Sequence, residues 1–90
     1  MKIFKINIQN SEGLHARPAS RLVELCHRFD SSIMISSQEM EADGKNITEV
    51  LGLGAEMGRT LTIGITGKDE TEAEKAIKEF FGGGFKHAPV

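Results

Sequence analysis

Four short segments of the chain alternate apolar and polar residues, and each therefore predicts a β-strand with one buried face. Residues 3–8 and 60–66 give the clearest alternation, and two shorter runs predict a hairpin that turns near residues 37–38. Strands with a single apolar face belong to a sheet that is covered on one side only. The side chains expected to face the covered side are Phe4, Ile6, Ile8, Ile33, Ile35, Met40, Ala42, Leu61, Ile63 and Ile65.

The segment 16–28 changes to the helical period. Apolar residues recur at i, i+3, i+4 and i+7, from Ala19 to Cys26, and so line one helical face. Pro18 fits the first turn of a helix, where its missing N–H costs no hydrogen bond. The sequence therefore predicts a helix that begins beside His15 and Ala16.

Two further helices are indicated by their N-terminal residues. Asn46 and Glu49 have the spacing of an N-terminal capping pair, and Gly52 keeps the helix that follows short. Asp69 and Glu72 have the spacing of a second capping box. The final helix is expected to bury Ala73, Ala76, Ile77 and Phe80, and to end at the glycines from 82 to 84.

The resulting order, β-α-β-β-α-β-α, predicts an α+β fold: a two-layer open-faced β-sandwich in which three helices cover one face of the sheet. Ninety residues suffice for one domain. We therefore expect a single domain over residues 1–90, with 82–90 as a tail.

Composition excludes several functional classes. Thirteen acidic residues against eleven Lys and Arg give a net charge of −2, which indicates no broad attraction to nucleic acid or to an anionic membrane. No apolar run is long enough to insert into a membrane, and no signal-peptide core follows the N-terminus. One cysteine allows no internal disulfide, so the sequence predicts a cytoplasmic protein.

The segment 13–19, Gly-Leu-His-Ala-Arg-Pro-Ala, carries the chemistry. It places His15 at a helix N-terminus, where free backbone N–H groups and the helix dipole stabilise a bound anion such as phosphate. Arg17 adds a fork of donors that suits phosphate oxygens. Neutral imidazole is a nucleophile, so the segment predicts phosphoryl transfer through His15. A lone histidine at a helix start is usually a surface or capping residue, but the following Arg and Pro favour the phosphoryl acceptor.

With this motif, the chain resembles the HPr family of phosphocarriers of the sugar phosphotransferase system. The resemblance extends without a gap from Phe4 to Phe81 and includes Leu53-Gly54, Gly58 and the segment 67–70. It implies an antiparallel sheet of strand order 1-4-2-3. It also implies that enzyme I, phosphorylated by phosphoenolpyruvate, passes its phosphoryl group to Nδ1 of His15, which hands it to a IIA-type protein.

The resemblance further assigns supporting residues. Arg17 would steady the phosphoryl group, and the backbone of Ala16 and Arg17 would help to bind it. The first two helices would form the docking face, and no metal or cofactor would be needed in what we expect to be a monomer. Besides Ala16 and Arg17, the docking residues would be Ser20, Arg21, Ile47, Thr48 and Leu51, with Gly54 either approaching His15 or simply ending the second helix.

Asn46 departs from many Gram-positive members, which carry at this position a serine that an ATP-dependent kinase phosphorylates. Asparagine has no hydroxyl, so no regulatory serine is predicted, although it remains a good N-cap. Glu24 and Glu49 place negative charge near a face that is often basic in the family. Together with residues 22–25, 39–42 and 80–85, these features also resemble the paralogue of the nitrogen-related phosphotransferase chain.

Two other interpretations stay open. The fold could serve as a docking module that is not phosphorylated, although such a module would be expected to lose His15. An enzyme with its own small-molecule turnover is weakly supported, because no acid–base pair accompanies His15. Cys26 lies on the apolar stripe and is expected to be buried. His27 is expected to be structural or to belong to the docking rim. His87 has no metal-ligand spacing to His15, His27 or Cys26.

Overall fold

The computed structural model describes residues 1–9 and 13–82. These residues form four strands and three helices in the predicted order. They are β1 (Lys2–Asn7), α1 (Ala16–Cys26), β2 (Ser32–Ser37), β3 (Met40–Asp43), α2 (Ile47–Gly52), β4 (Thr60–Thr66) and α3 (Glu70–Gly82).

The four strands form one antiparallel sheet of order β1-β4-β2-β3, which confirms the order implied by the resemblance. The central strand β4 pairs on both sides, so Ile63 lies opposite Phe4 of β1 and Ile35 of β2. Its alternation is as predicted: Leu61, Ile63 and Ile65 are fully buried, whereas the residues between them face the other side.

The core lies between this sheet and the helices, as expected for two layers. On α1 the predicted stripe is buried, and Leu25 joins it with 5% of its surface exposed. On α3 the buried side chains are Ala73, Ile77, Phe80 and Phe81, with Ala76 packed against them. The Phe80 and Phe81 rings meet edge to face, with centroids 5.3 Å apart.

Met40 is an exception to the predicted alternation. It is 52% exposed, whereas Ala42, two residues later on the same strand, is completely buried. Met40 is the first residue of the edge strand β3 and follows a turn in which Gln38 has a φ of 57°. The expectation of a core position for Met40 was therefore wrong, because the turn holds its side chain at the margin of the sheet.

The capping pair at α2 is confirmed in one half only. The Asn46 side chain accepts a hydrogen bond from the N–H of Glu49, at 3.1 Å. The Glu49 carboxylate does not return to Asn46 but accepts from the N–H of Asp43, at 2.8 Å. Glu49 therefore links the start of α2 to the end of β3.

The predicted capping box of Asp69 and Glu72 was wrong. The Asp69 carboxylate turns away from its helix and accepts hydrogen bonds from the N–H groups of Asp30 and Ser31 and from the Ser31 hydroxyl. Glu70 instead reaches back three residues to the N–H of Gly67, at 3.0 Å. Its other carboxylate oxygen lies 2.8 Å from the N-terminal amine.

The C-terminal segment is described as far as Gly82, which is the last residue of α3. Residues 83–90, including Gly83, Gly84 and His87, lie outside the described residues.

Candidate functional site

The predicted start of α1 is confirmed. His15 is its N-cap residue, with extended backbone angles (φ −89°, ψ −168°), and Ala16 is the first helical residue. The His15 carbonyl accepts from the N–H of Ala19, at 2.8 Å, while its imidazole makes no capping hydrogen bond. His15, Ala16 and Arg17 are all exposed, whereas Pro18 is buried in the first turn. The site therefore combines a free imidazole with a fixed backbone.

The backbone before His15 is held by contacts that the sequence patterns did not reveal. The side chain of Leu14 is 1% exposed, and its N–H donates to the carbonyl of Ala55 at 2.9 Å. Gly13 has a φ of +62°, and a β-carbon there would lie 2.6 Å from that same carbonyl oxygen. Only glycine fits both the left-handed backbone and this close approach. An apolar residue between Gly13 and His15 was the one available signal of this anchor.

The electrostatics of the helix start favour an anion. The N–H groups of Ala16 and Arg17 belong to the first turn, where the helix offers no acceptor, and they lie at the positive end of the helix dipole. No acidic residue lies in this turn. The exposed Arg17 adds a guanidinium that can bind phosphate oxygens in a fork. The arrangement can stabilise negative charge on a group attached to the imidazole.

The predicted docking residues lie on two helices that pack against each other, α1 and α2. Ser20 and Arg21 are exposed on α1. On α2, Ile47 and Leu51 are 38% and 41% exposed, and Thr48 is also exposed. Two exposed apolar side chains on a helix of six residues leave an accessible apolar patch beside the helix that carries His15.

Gly54 follows the C-cap of α2 with a φ of +58°, and its N–H donates to the carbonyl of Leu51 at 3.1 Å. This is the left-handed residue that commonly ends a helix. A β-carbon at Gly54 would meet no atom within 4 Å. Of the two interpretations left open by sequence, the geometry supports helix termination, and the close backbone approach occurs at Gly13.

Lys45 connects the end of α1 to the start of α2, a link that the sequence did not predict. Its ammonium group donates to the carbonyl of Phe29, just beyond α1, at 2.7 Å. Its own carbonyl lies 2.9 Å from Nε2 of His27, the C-cap of α1. These contacts join residues 16 and 18 positions apart, so no local pattern predicts them. His27 is therefore a structural link between the end of α1 and the start of α2.

Cys26, the remaining candidate group, is a buried structural residue. Burial raises the pKa of the Cys26 thiol to about 12, so the thiol stays protonated and inert near neutral pH. Among residues 1–9 and 13–82, no three His, Cys, Asp or Glu side chains are grouped to hold a metal ion. Within the same ranges, no helix is long and apolar enough to cross a membrane.

Comparison with known proteins decides the family. Residues 3–82 match the family model described as the PTS HPr component phosphorylation site. The chain belongs to the HPr family of phosphocarriers. Its HPr relatives include the HPr of Treponema pallidum, which is 35% identical over 81 residues that cover 90% of this chain and 92% of that protein.

The paralogous NPr of Escherichia coli K12 is 36% identical over 81 residues, covering 89% of this chain and 90% of NPr. The crystal structure of HPr from Thermoanaerobacter tengcongensis superposes with a TM-score of 0.91 at 34% identity, covering 94% of this chain and 96% of that one. HPr and NPr are thus equally similar to this chain in overall sequence, so overall similarity does not separate the two branches of the family.

Proposed function

We propose that this chain is a histidine phosphocarrier of the phosphoenolpyruvate-dependent phosphotransferase system. It accepts a phosphoryl group from enzyme I on Nδ1 of His15 and passes that group to a IIA-type protein in the cytoplasm. The observation that carries this proposal is the exposed imidazole of His15 at the N-cap of an 11-residue helix, with no capping bond and no acidic residue in the first turn.

The first transfer uses the lone pair on Nδ1. This nitrogen attacks phosphorus while the bond between phosphorus and its carrier atom on enzyme I breaks, and the bonding pair leaves with that carrier atom. In the second transfer the IIA nucleophile attacks, the N–P bond breaks, and the electron pair returns to Nδ1. Phosphoryl transfer needs positioning and charge stabilisation above all. Arg17 and the N–H groups of Ala16 and Arg17 supply the charge stabilisation.

The docking face comprises the exposed residues of α1 and α2. Ile47 and Leu51 provide apolar contacts, and Arg17 and Arg21 provide positive charge around the reacting group. Apolar contacts at the centre of an interface and charges at its rim suit a transient complex that must dissociate after each transfer. Thr48, Ser20 and Gly54 complete this face.

The nitrogen-related branch is the second candidate. Relatives named NPr match as well as those named HPr, and Glu24 adds a carboxylate on the exposed side of α1. The chemistry at His15 is the same in both branches, and only the donor and acceptor proteins differ. Asn46 caps α2 through its side-chain oxygen and has no hydroxyl to accept a phosphoryl group, so regulation by a serine kinase at this position is not part of the proposal.

Intact-mass measurement tests the proposal. The protein is incubated with phosphoenolpyruvate, Mg²⁺ and enzyme I, using the sugar and nitrogen forms of enzyme I in parallel. We expect one acid-labile phosphoryl group, absent from His15→Ala and retained in His27→Ala, which removes the other described exposed histidine. The faster donor identifies the branch.

Two results would overturn this assignment. Acid-labile phosphate remaining on folded His15→Ala would place the acceptor elsewhere. No labelling from either donor, with a folded wild-type protein, would favour the docking module that is not phosphorylated.

A further inference from the structure

The face of the sheet opposite the helices carries an apolar groove that plays no part in the proposed phosphoryl transfer. The groove encloses about 260 Å³. Ile3 is 66% exposed and Met34 is 40% exposed on this face. Between them lies Gly64, and the polar residues Ser36 and Thr62 also line the groove.

Gly64 creates the groove. It lies on the central strand β4, directly between Ile3 of β1 and Met34 of β2 in the strand register. A β-carbon at Gly64 would have no atom within 4 Å. The missing side chain therefore leaves a hollow between two projecting apolar side chains, and Met34 stands one strand away from it.

Charge on this face is segregated to its two margins. Lys5 is exposed on the edge strand β1, and Glu41 is exposed on the opposite edge strand β3. The register places both in one row across the sheet, through Thr62 and Ser36. Three strand spacings of about 4.8 Å separate the margins, so Lys5 and Glu41 of one chain cannot pair with each other. Within the described part of the chain, neither takes part in an ion pair.

One symmetry operation brings Met34 of one copy to the Gly64 hollow of another, and Lys5 of one copy to Glu41 of the other. A two-fold axis parallel to the strands, placed between β4 and β2, lays β4 of one copy over β2 of another and β1 over β3. Because the axis preserves position along the strands, Met34 of each copy then faces the hollow at Gly64 of the other. Lys5 of each copy likewise faces Glu41 of the other. Ile3 faces Asp43, whose Oδ1 already accepts from the N–H of Lys45 at 2.9 Å.

We propose that the open sheet face is a self-association surface on which a second copy of this chain packs about that two-fold axis. Met34 fills the Gly64 hollow, and the Lys5 and Glu41 pairs fix the orientation. Because aligned sheets pack at about 30°, the axis lies about 15° from the strands of each copy. Facing residues near the margin, about 7 Å from the axis, are then offset by about 4 Å, a distance that the long Lys and Glu side chains span. An isologous contact of this kind closes at a dimer.

The face is small. Four strands of four to seven residues measure about 20 Å by 20 Å, so the contact buries on the order of 800 Å² in total. This is below the usual size of a stable interface, and we expect a dissociation constant on the order of 0.1–1 mM. In dilute solution the chain therefore stays a monomer. Helix α1, whose N-cap residue is His15, lies in the opposite layer, so the dimer leaves the proposed phosphoryl site accessible.

Sedimentation equilibrium of the full chain tests the proposal, at concentrations from about tenfold below to about tenfold above that constant. Lys5→Glu and Glu41→Lys each convert two attractive contacts into two repulsive ones, and each should weaken self-association about tenfold. An equimolar mixture of the two variants should associate as strongly as the wild type, because the mixed dimer restores both contacts. Lys75→Glu, an exposed change on α3, is the matched control and should leave association unchanged.

A second variant tests the hollow. Gly64→Val adds a β-branched side chain where the structure has open space, so the strand should still form. It should nevertheless reduce association, because Met34 of the second copy no longer fits. Chemical shift changes on dilution should map to β1, β2, β3 and β4. A chain that remains monomeric at the highest concentration would overturn the proposal, as would a dimer insensitive to the charge variants or shift changes confined to α1 and α2.

Discussion

Gly13→Ala should destabilise the protein more than Gly54→Ala, although the two glycines have nearly the same φ, +62° and +58°. Alanine in the left-handed region costs about 1–2 kcal/mol at either position. At Gly54 the new methyl group has open space, so this conformational cost is the whole effect. At Gly13 the methyl group would lie 2.6 Å from the Ala55 carbonyl oxygen and 2.9 Å from the Glu56 Cα.

Both atoms that the Gly13 methyl group would meet belong to the backbone, so no side chain can simply turn away. The segment 13–14 must move relative to residues 55–56, which breaks the Leu14 N–H to Ala55 hydrogen bond. That loss adds about 1 kcal/mol, and partial withdrawal of the buried Leu14 side chain adds about 1 kcal/mol more. We therefore expect a loss in the free energy of unfolding of about 3–4 kcal/mol for Gly13→Ala, against about 1–2 kcal/mol for Gly54→Ala.

Urea denaturation followed by far-UV circular dichroism measures both values, with the slope m checked for constancy. The phosphorylation rate of His15 by enzyme I should fall in folded Gly13→Ala, because the backbone that presents the imidazole is displaced. Equal destabilisation by the two substitutions would refute the reasoning, since only the close approach at Gly13 distinguishes them.

Three further outcomes follow from single contacts. Hydrogen bonds from the Ser31 hydroxyl and from the N–H groups of Asp30 and Ser31 hold the pKa of Asp69 below its ordinary value. The ionised Asp69 therefore stabilises the fold above its unfolded-state pKa, and this stabilisation is lost as the pH falls through the folded-state pKa. An acid titration of unfolding free energy should therefore show a decline that Asp69→Asn reduces, and an identical pH profile for the variant would contradict this role. Lys45→Met should lower the free energy of unfolding by about 1 kcal/mol through the lost bond to the Phe29 carbonyl, whereas Lys75→Met should change it by less than about 0.5 kcal/mol in the same denaturation assay. A thiol reagent at pH 8 should label Cys26 slowly in the native protein and rapidly in urea, because burial and a pKa of about 12 protect the thiol; rapid native labelling would contradict its burial.

Periodicity predicted the elements and their buried faces because each depends on residues within a few positions of one another. The period-two run of β4 and the stripe on α1 are of this kind, and Pro18 fixed the start of α1 for the same reason. The strand order could not be reached in this way, because β1 pairs with β4 through residues that are 53 (Asn7 and Thr60) to 63 (Lys2 and Ile65) positions apart. That order came from the family resemblance.

The wrong predictions for Asp69 and Met40 also concern features that local sequence patterns do not encode. Asp69 has the spacing of a local cap, but its carboxylate finds three donors near Ser31, 38 positions away. Met40 keeps the alternation of its strand but is exposed because it lies at the margin of the sheet. Nothing in the local sequence pattern shows where the sheet ends. At the candidate site, the sequence predicted that His15 lies at the start of α1. It did not predict that the Ala55 carbonyl holds the backbone before His15 through the N–H of Leu14.

The backbone around His15 is fixed by its neighbours, whereas the imidazole makes no capping hydrogen bond, and this combination suits a phosphocarrier. Leu14 and Pro18 are buried on either side of His15, and the Ala55 carbonyl fixes the chain before it. The imidazole itself makes no capping hydrogen bond, so no such bond must break when a donor or an acceptor approaches. A group that receives and releases the same phosphoryl group gains nothing from contacts that favour only one of its two states, because such contacts would slow one of the two transfers. In the proposed function, the backbone N–H groups and Arg17 stabilise negative charge that the phosphoryl group carries throughout both transfers, and an incoming acceptor can approach them from solvent.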